Sequence, residues 1–279
     1  PGVLGSAVDQ TGGVLTDEEK SAMVEAAAKK AAADAPAGGT KTLVSGSDIS
    51  GKTVAVTAEE DTGNDARIDV EVGSGNAGAG VLAASVATLR QHRNLVTEVV
   101  GSNVTSQAGG TIGVKIGGTG SVKTYQAVVA LVTGAAAYTD VEITGGGNVV
   151  VDQSRLESTG DVALDVLAQD KSKMTAYAFG LNVAGVSGGG TIAKIRDGSS
   201  LKVGLTHASM AGVTSVHALR ETKRTADVLA GVGGVVNGMA AQAGIADTGN
   251  VTIEAEALNA SGKSLEIEAN NQPNLTVKA

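Results

Sequence analysis

Gly147-Asn148-Val149-Val150-Val151-Asp152, Gly160-Asp161-Val162-Ala163-Leu164-Asp165 and Gly249-Asn250-Val251-Thr252-Ile253-Glu254 are three copies of one phrase, Gly-[Asn/Asp]-Val-x-[Val/Leu/Ile]-[Asp/Glu]. Gly followed by Asn or Asp suits a tight turn that needs positive φ. The alternation behind it sends one set of side chains inward, as a half-buried strand does. Looser versions shift the apolar phase by one residue: Gly51-Lys52-Thr53-Val54-Ala55-Val56, Gly198-Ser199-Ser200-Leu201-Lys202-Val203 and Gly262-Lys263-Ser264-Leu265-Glu266-Ile267. The same turn chemistry therefore opens six short strands.

Other phrases return at uneven distances. Gly109-Gly110-Thr111-Ile112 reappears as Gly189-Gly190-Thr191-Ile192, and Ser85-Val86-x-x-Leu89-Arg90 as Ser215-Val216-x-x-Leu219-Arg220. Uneven offsets suit a solenoid whose coils vary in length, because each coil needs only to stack on its neighbours. Between the phrases lie stretches such as 175–186, where small and larger residues alternate; they read as long Ala/Gly-rich strands. Small residues on one strand face let neighbouring backbone layers approach closely. Tyr177 and Phe179 share a face and are expected to form one local core stack.

The composition supports a thin, layered interior. In 279 residues there are one Phe, three Tyr, no Trp and no Cys, against 40 Gly and only 3 Pro. A core without aromatics must be filled by Val, Ile, Leu and Ala in stacked rungs. An apolar fraction of 42% argues against intrinsic disorder, and the few prolines without a Gly-X-Y period argue against collagen.

The net charge of −8 makes nucleic acid a poor partner. The most basic stretch, Arg90 to Arg93 with His92 inside it, reads as a solvated turn. The lack of Cys removes disulfides, thiolate metal sites and Cys nucleophiles, and fits the cytoplasm or a long exported chain equally well. No run reaches the roughly 18 apolar residues needed to span a bilayer, and no signal peptide opens the chain. Beginning at Pro1 rather than Met, the chain reads as a processed protein or a piece of a longer one.

One helix is predicted. Thr16-Asp17-Glu18-Glu19 forms a capping box, Lys20 to Asp34 is Ala-rich, and Pro36 closes the run. Residues 1–50 are thus expected to be an N-terminal segment, with an exposed helix at about 16–35 and a linker. The solenoid is expected over 51–279. The fold class read here is all-β, a parallel β-helix (β-solenoid) with one short N-terminal α-helix.

Four candidate chemistries can be weighed. Gly73-Ser74-Gly75-Asn76-Ala77-Gly78 is a formal G-x-G-x-x-G, followed by a candidate helix at Val81 to Arg93 and by Glu98, but the charged alternation of Arg67 to Val72 speaks against a dinucleotide fold. His92, His207 and His217 have no G-x-S-x-G partner, and His217 is expected to face outward. Asp152, Asp165 and Glu254 could stack as a calcium-binding ladder, although solvated faces are the simpler reading. A polysaccharide-active β-helix would need aromatic platforms, which are missing. Asn103, Asn250, Asn259 and Asn274 open sequons that read as accidental. No catalytic, cofactor-binding or metal residue is assigned, and no cofactor is expected.

Gly160-Asp-Val-Ala-Leu-Asp-Val-Leu-Ala-Gln-Asp170, then Thr175-Ala-Tyr-Ala-Phe-Gly-Leu-Asn-Val-Ala-Gly-Val-Ser-Gly188 and 193–200, resembles repeats of the leukotoxin-like filamentous adhesins of Gram-negative bacteria, relatives of the two-partner-secreted haemagglutinins. Leu95 to Gly101 and Thr191 to Ile195 occupy the family's closing strand position without its Tyr. The resemblance implies a parallel β-helix shaft, export to the cell surface, and adhesion to a host or neighbouring cell. End-to-end self-association of a fibre subunit is the alternative, and a polysaccharide-active enzyme a second one.

Overall fold

The structure, a computed structural model, describes residues 39–60 and 67–279. The helix expected at 16–35 lies outside them. Every strand pairing within the described residues is parallel, the fold is all-β, and long strands in stacked sheets give it a parallel β-helix-like form.

The first turn of chain contains β1 (Thr40–Ser45), β2 (Asp48–Gly51), β3 (Val54–Glu60) and most of β4 (Arg67–Val100). The end of β4, then β5 (Asn103–Ser106), β6 (Gly110–Ile116) and most of β7 (Thr119–Asp152), make the second. The end of β7 leads through β8 (Arg155–Ser158), β9 (Leu164–Asp170) and β10 (Lys173–Asp197) to complete the third. The fourth comprises β11 (Ser200–Thr206), β12 (Ser209–Arg220), β13 (Lys223–Gly233) and β14 (Val236–Asp247). The last holds β15 (Val251–Glu256), β16 (Asn259–Asn271) and β17 (Asn274–Lys278). Strands β1 and β2 fall where a linker was expected, so the layered fold begins before Gly51.

Thr40, Leu95, Gly147, Leu201 and Val251 lie one over another, so successive turns take 55, 52, 54 and 50 residues. The recurring phrases do not mark that period. Leu201 and Val251 are register partners at one corner, whereas Val54 stacks toward Leu164 at another. Likewise Ser215 neighbours Asp165 and, through it, Thr111, while Ser85 stacks toward Thr191. The phrases thus open strands at two different corners, but the positive φ expected at their glycines is found only at Gly262 and not at Gly51, Gly147, Gly160, Gly198 or Gly249, and Gly147 lies inside β7.

The stacked coils enclose two main cores, with a small third cluster of Ala83, Val128 and Ala135 further out. One is ringed by the ends of β4 and β7 and by the short strands, and gathers Leu95, Val99, Val104, Ile112, Val149, Leu156, Leu164 and Val203. The other lies within a fin, where the long strands fold back on themselves so that Val70, Val122 and Ala176 pack against Leu89, Val141 and Ile195. The interior of the fin is filled by small side chains. Thr124 Oγ1 donates to the Tyr138 carbonyl and Thr139 Oγ1 to the Tyr177 carbonyl, across a gap that a larger residue would block. A Cβ on Gly180 would collide with the Thr191 hydroxyl.

At the tip of the fin the ladder is interrupted at the stacked positions of Ala79, Leu131 and Gly185. Leu131 is 70% and Val235 89% exposed, and Val132, Val186 and Val236 form an in-register aliphatic file beside them. Residues 72–87, 124–139, 174–193 and 228–246 carry no charge, so all the solvation of the molecule by charged groups falls outside the outer fin.

One corner shows why the layers stay in register. Gly46, Gly101, Gln153, His207 and Ala257 all take left-handed φ, between 47° and 57°. Each of the first four donates its N–H to a carbonyl of the coil beyond, at Val100, Asp152, Thr206 and Glu256. Beside them Ser47 N donates to Ser102 Oγ and Ser102 N to Ser154 Oγ, a serine file through three coils. Left-handed φ costs an L-residue about 1–2 kcal/mol. Replacing Ala257 by Gly is therefore expected to raise the unfolding free energy by up to about 1 kcal/mol, after the extra chain entropy of Gly, as read from urea unfolding midpoints.

Candidate functional site

The inward positions of β12 read Val216, Ala218 and then Arg220, so the alternation places a guanidinium where the core ends. Arg220 and Arg224 are both fully buried, in the neck between the two cores. Arg220 contacts Asp197 at 2.8 Å and Asp247 at 3.0 Å, and donates to Asn271 Oδ1. Arg224 Nε lies 2.6 Å from the same Asp197 and its terminal nitrogens reach the carbonyl and hydroxyl of Ser172. Arg93 completes the network from two coils away, with Asp170 at 3.1 Å and Ser172 Oγ at 3.0 Å.

The carboxylates are fixed by their own turns. Asp170, Asp197 and Asp247 each accept the N–H two residues on, at Ser172, Ser199 and Gly249. An Asp at a strand end thus closes the corner with one oxygen and holds an arginine with the other. Three arginines face these three aspartates, and Glu60 also approaches Arg93, at 3.9 Å. Burial alone would push the Asp197 carboxyl up, but Arg224, Ser199 and Arg220 outweigh it and hold it below the usual value.

A second ladder runs on the outside of the fin. Arg90, Glu142 and Arg196 are successive register partners, and both arginines also reach the buried Asp140, at 2.7 Å and 2.8 Å. The stretch from Arg90 to Arg93 is therefore strand within β4 rather than a solvated turn, and Arg93 is among the buried residues. Arg90 and Arg93 each meet carboxylates of later coils.

The other sequence candidates are separated. Gly73 to Gly78 runs inside β4, extended alongside Tyr125 to Ala130, and Val81 to Arg93 continues the same strand, so no glycine loop opens onto a helix. That removes the dinucleotide reading. Asp152 neighbours Val100 and Thr206, Glu254 pairs with Lys202 at 2.7 Å, and Asp165 lies elsewhere on β9, so the three do not form a carboxylate ladder. His92 Nδ1 meets Thr144 Oγ1 on an exposed edge, and His207 is a corner residue. Tyr177 and Phe179 do share a face, but both are half-buried on the outer face of the fin rather than in a core, and Tyr125 of the neighbouring coil binds them together at 5.7 Å and 6.4 Å. Asn103, Asn250, Asn259 and Asn274 are all exposed.

His217 is half-buried on the outer face of β12, and its Nδ1 lies 2.9 Å from Asp165 Oδ1, which also accepts from Ser215 Oγ at 3.1 Å. Burial pushes the Asp165 carboxyl above its ordinary value, against the pull of His217 and Ser215, and nearby Glu266 adds to the rise. A raised carboxyl costs the folded state stability wherever it is ionised, and the cost fades as pH falls through its folded value toward the unfolded one. Asp165→Asn is expected to raise the melting temperature slightly at pH 7 and to leave it unchanged at pH 3. Comparison of the chain with family models, curated proteins and solved structures finds no match for any part of it.

The neck network was missed in the sequence. Its signal is the recurrence of Asp-x-Ser at strand ends, in Asp152-Gln-Ser154, Asp170-Lys-Ser172 and Asp197-Gly-Ser199, together with an Arg on the inward phase of β12.

Proposed function

We propose that this chain is a structural segment of an extracellular bacterial filament of the filamentous-adhesin kind, a parallel β-helix that holds adhesive regions away from the cell. The observation that carries the reading is the unbroken parallel register through successive turns, at Thr40, Leu95, Gly147, Leu201 and Val251. A body built that way grows by adding like layers and distributes load over many backbone hydrogen bonds. The two best-formed depressions among the described residues enclose about 90 and about 10 Å³, against the roughly 300–1,000 Å³ of a small-molecule site, which favours a scaffold over a sugar-processing enzyme.

Layer spacing near 4.8 Å gives five layers a height of roughly 24 Å. With more than fifty residues in most turns, such a segment is a broad block rather than a slender rod, and its outward faces would supply many weak contacts to a host or neighbouring cell. A second reading is favoured by the terminal strands. Among the described residues β1, β2 and β3 each pair on one side, as do β15, β16 and β17, which leaves ladder edges that a second copy could extend. Immunogold labelling of intact source cells with antibodies to this chain, combined with electron microscopy of the purified protein over a concentration series, tests both. Surface label with compact single particles supports the segment reading, concentration-dependent filaments support the subunit reading, and label confined to the cytoplasm overturns both.

A further inference from the structure

His217, Glu266 and Glu268 bring one imidazole and two carboxylates together on the outer face of the sheet, their ligating atoms all within 4.8 Å of one another. His217 and Glu268 are direct register partners on β12 and β16, and Glu266 stands two residues earlier on the same strand, opposite Ser215. Side chains two residues apart on a strand point to the same face, so the set is fixed by the ladder rather than by a loop.

Two features distinguish this group from an ordinary acidic surface. The first is the state of the histidine. Its Nδ1 is engaged by Asp165, which Ser215 anchors in turn, so Nε2 is the nitrogen left to bind. A carboxylate behind the imidazole is the arrangement that orients metal-ligating histidines and raises their basicity. The second is the missing cation. Glu266 and Glu268 take part in no ion pair among the described residues, a state they share with Glu71 and Glu256, and Glu268 is met only by the neutral Asn270 amide, whereas the Glu residues at 59, 60, 98, 142, 157, 221 and 254 each meet Lys or Arg.

We propose that His217, Glu266 and Glu268 form a zinc-binding site that pins the last turn of the fold to the one before it. The donor set chooses the metal. One imidazole nitrogen and two carboxylates suit Zn²⁺, with water in the fourth position of a tetrahedron, whereas Ca²⁺ takes six to eight oxygens and gains little from imidazole. Bonds of about 2.0–2.2 Å require ligand atoms about 3.3–3.6 Å apart. Both glutamates are exposed, so their side chains have room to rotate toward a shared ion. The metal would offset the negative charge gathered by Asp165, Glu266 and Glu268, and would join β16, which is exposed along most of its length, to the buried β12.

The test is calorimetric titration of the untagged, chelator-treated protein with Zn²⁺ and, separately, Ca²⁺, alongside imidazole nitrogen spectra of its three histidines. One equivalent of Zn²⁺ is expected to bind with a dissociation constant in the micromolar range or below, shifting His217 and leaving His92 and His207 in place. His217→Ala and the double variant Glu266→Gln/Glu268→Gln should each weaken binding at least tenfold, and Asp165→Asn about 10–100-fold. All of these side chains stand on the outer sheet face, and circular dichroism checks that the variants fold. Absence of saturable Zn²⁺ binding, equal binding in folded His217→Ala, or equally tight Ca²⁺ binding would each overturn the proposal.

Discussion

Asp197→Ala is expected to destabilise the protein by about 3–5 kcal/mol, the cost of leaving buried charge without its partner. Among the described residues, Asp197 is the one carboxylate that contacts both fully buried arginines, Arg220 and Arg224. Arg220 keeps Asp247 and Arg224 keeps the Ser172 oxygens, which is why the loss is not that of two bare charges. The same substitution opens the corner at Ser199, whose N–H and hydroxyl both bond to Asp197 Oδ1. Asp197→Asn separates the two contributions, since it removes the charge while an amide oxygen can still close the turn, and it should cost less.

The pH dependence follows in sign. The Asp197 carboxyl is held below its ordinary value in the folded state, so its contribution is fully present above the unfolded value near 3.8 and is lost as pH falls through the folded one. Wild-type stability should therefore drop in acid below about pH 4, and the Asp197→Ala variant should show a shallower drop over that range. Urea unfolding at pH 7 and at successive lower pH values reads both effects.

Gly146→Val is the second large effect, expected to cost more than about 3 kcal/mol. Gly146 has φ of +141°, a backbone state that side chains strongly disfavour, at about 1–3 kcal/mol. A Cβ there would also land on the backbone carbonyl of Ser200 in the next coil, and a backbone atom within a ladder cannot step aside as a flexible side chain can. Gly73→Ala and Gly75→Ala are the matched controls. Neither residue has positive φ and a Cβ at either meets nothing within 4 Å, so both should fold with stability within about 1 kcal/mol of wild type. That contrast also separates a strand glycine from a phosphate-loop glycine, where the close approach of a ligand forbids the methyl group.

How much of this could be read from the sequence depends on whether the signal was local. The alternating phrases at 147–152 and 249–254 gave strands and layers, because period-two patterning and turn chemistry are properties of a few adjacent residues. The coil length was not legible, since the phrases at Gly51 and Gly160 belong to one corner and those at Gly198 and Gly249 to another, and only register tells them apart. Residues 81–93 offered a helix only to the dinucleotide alternative; they are strand, with Ala87, Thr88 and Leu89 buried in succession, which breaks the strict alternation a sequence reader looks for. Arg93 read as solvated because its partners, Asp170 and Ser172, are remote in sequence. Tyr177 read as core because the sequence shows which residues share a face but not which face is covered.

The stacking of coils is tested most directly by engineered cysteine pairs, which the chain suits because it has no cysteine of its own. Lys202 and Thr252 are register partners on adjacent coils, half-buried or exposed, and parallel neighbours about 4.8 Å apart lie within reach of a disulfide. Lys202→Cys/Thr252→Cys should oxidise to an intramolecular bridge, while Lys202→Cys/Glu256→Cys, with the second cysteine four residues further along β15, should stay reduced or link only between molecules. A bridge in the second pair and none in the first, or bridges formed only between molecules in both, would contradict the stacked architecture.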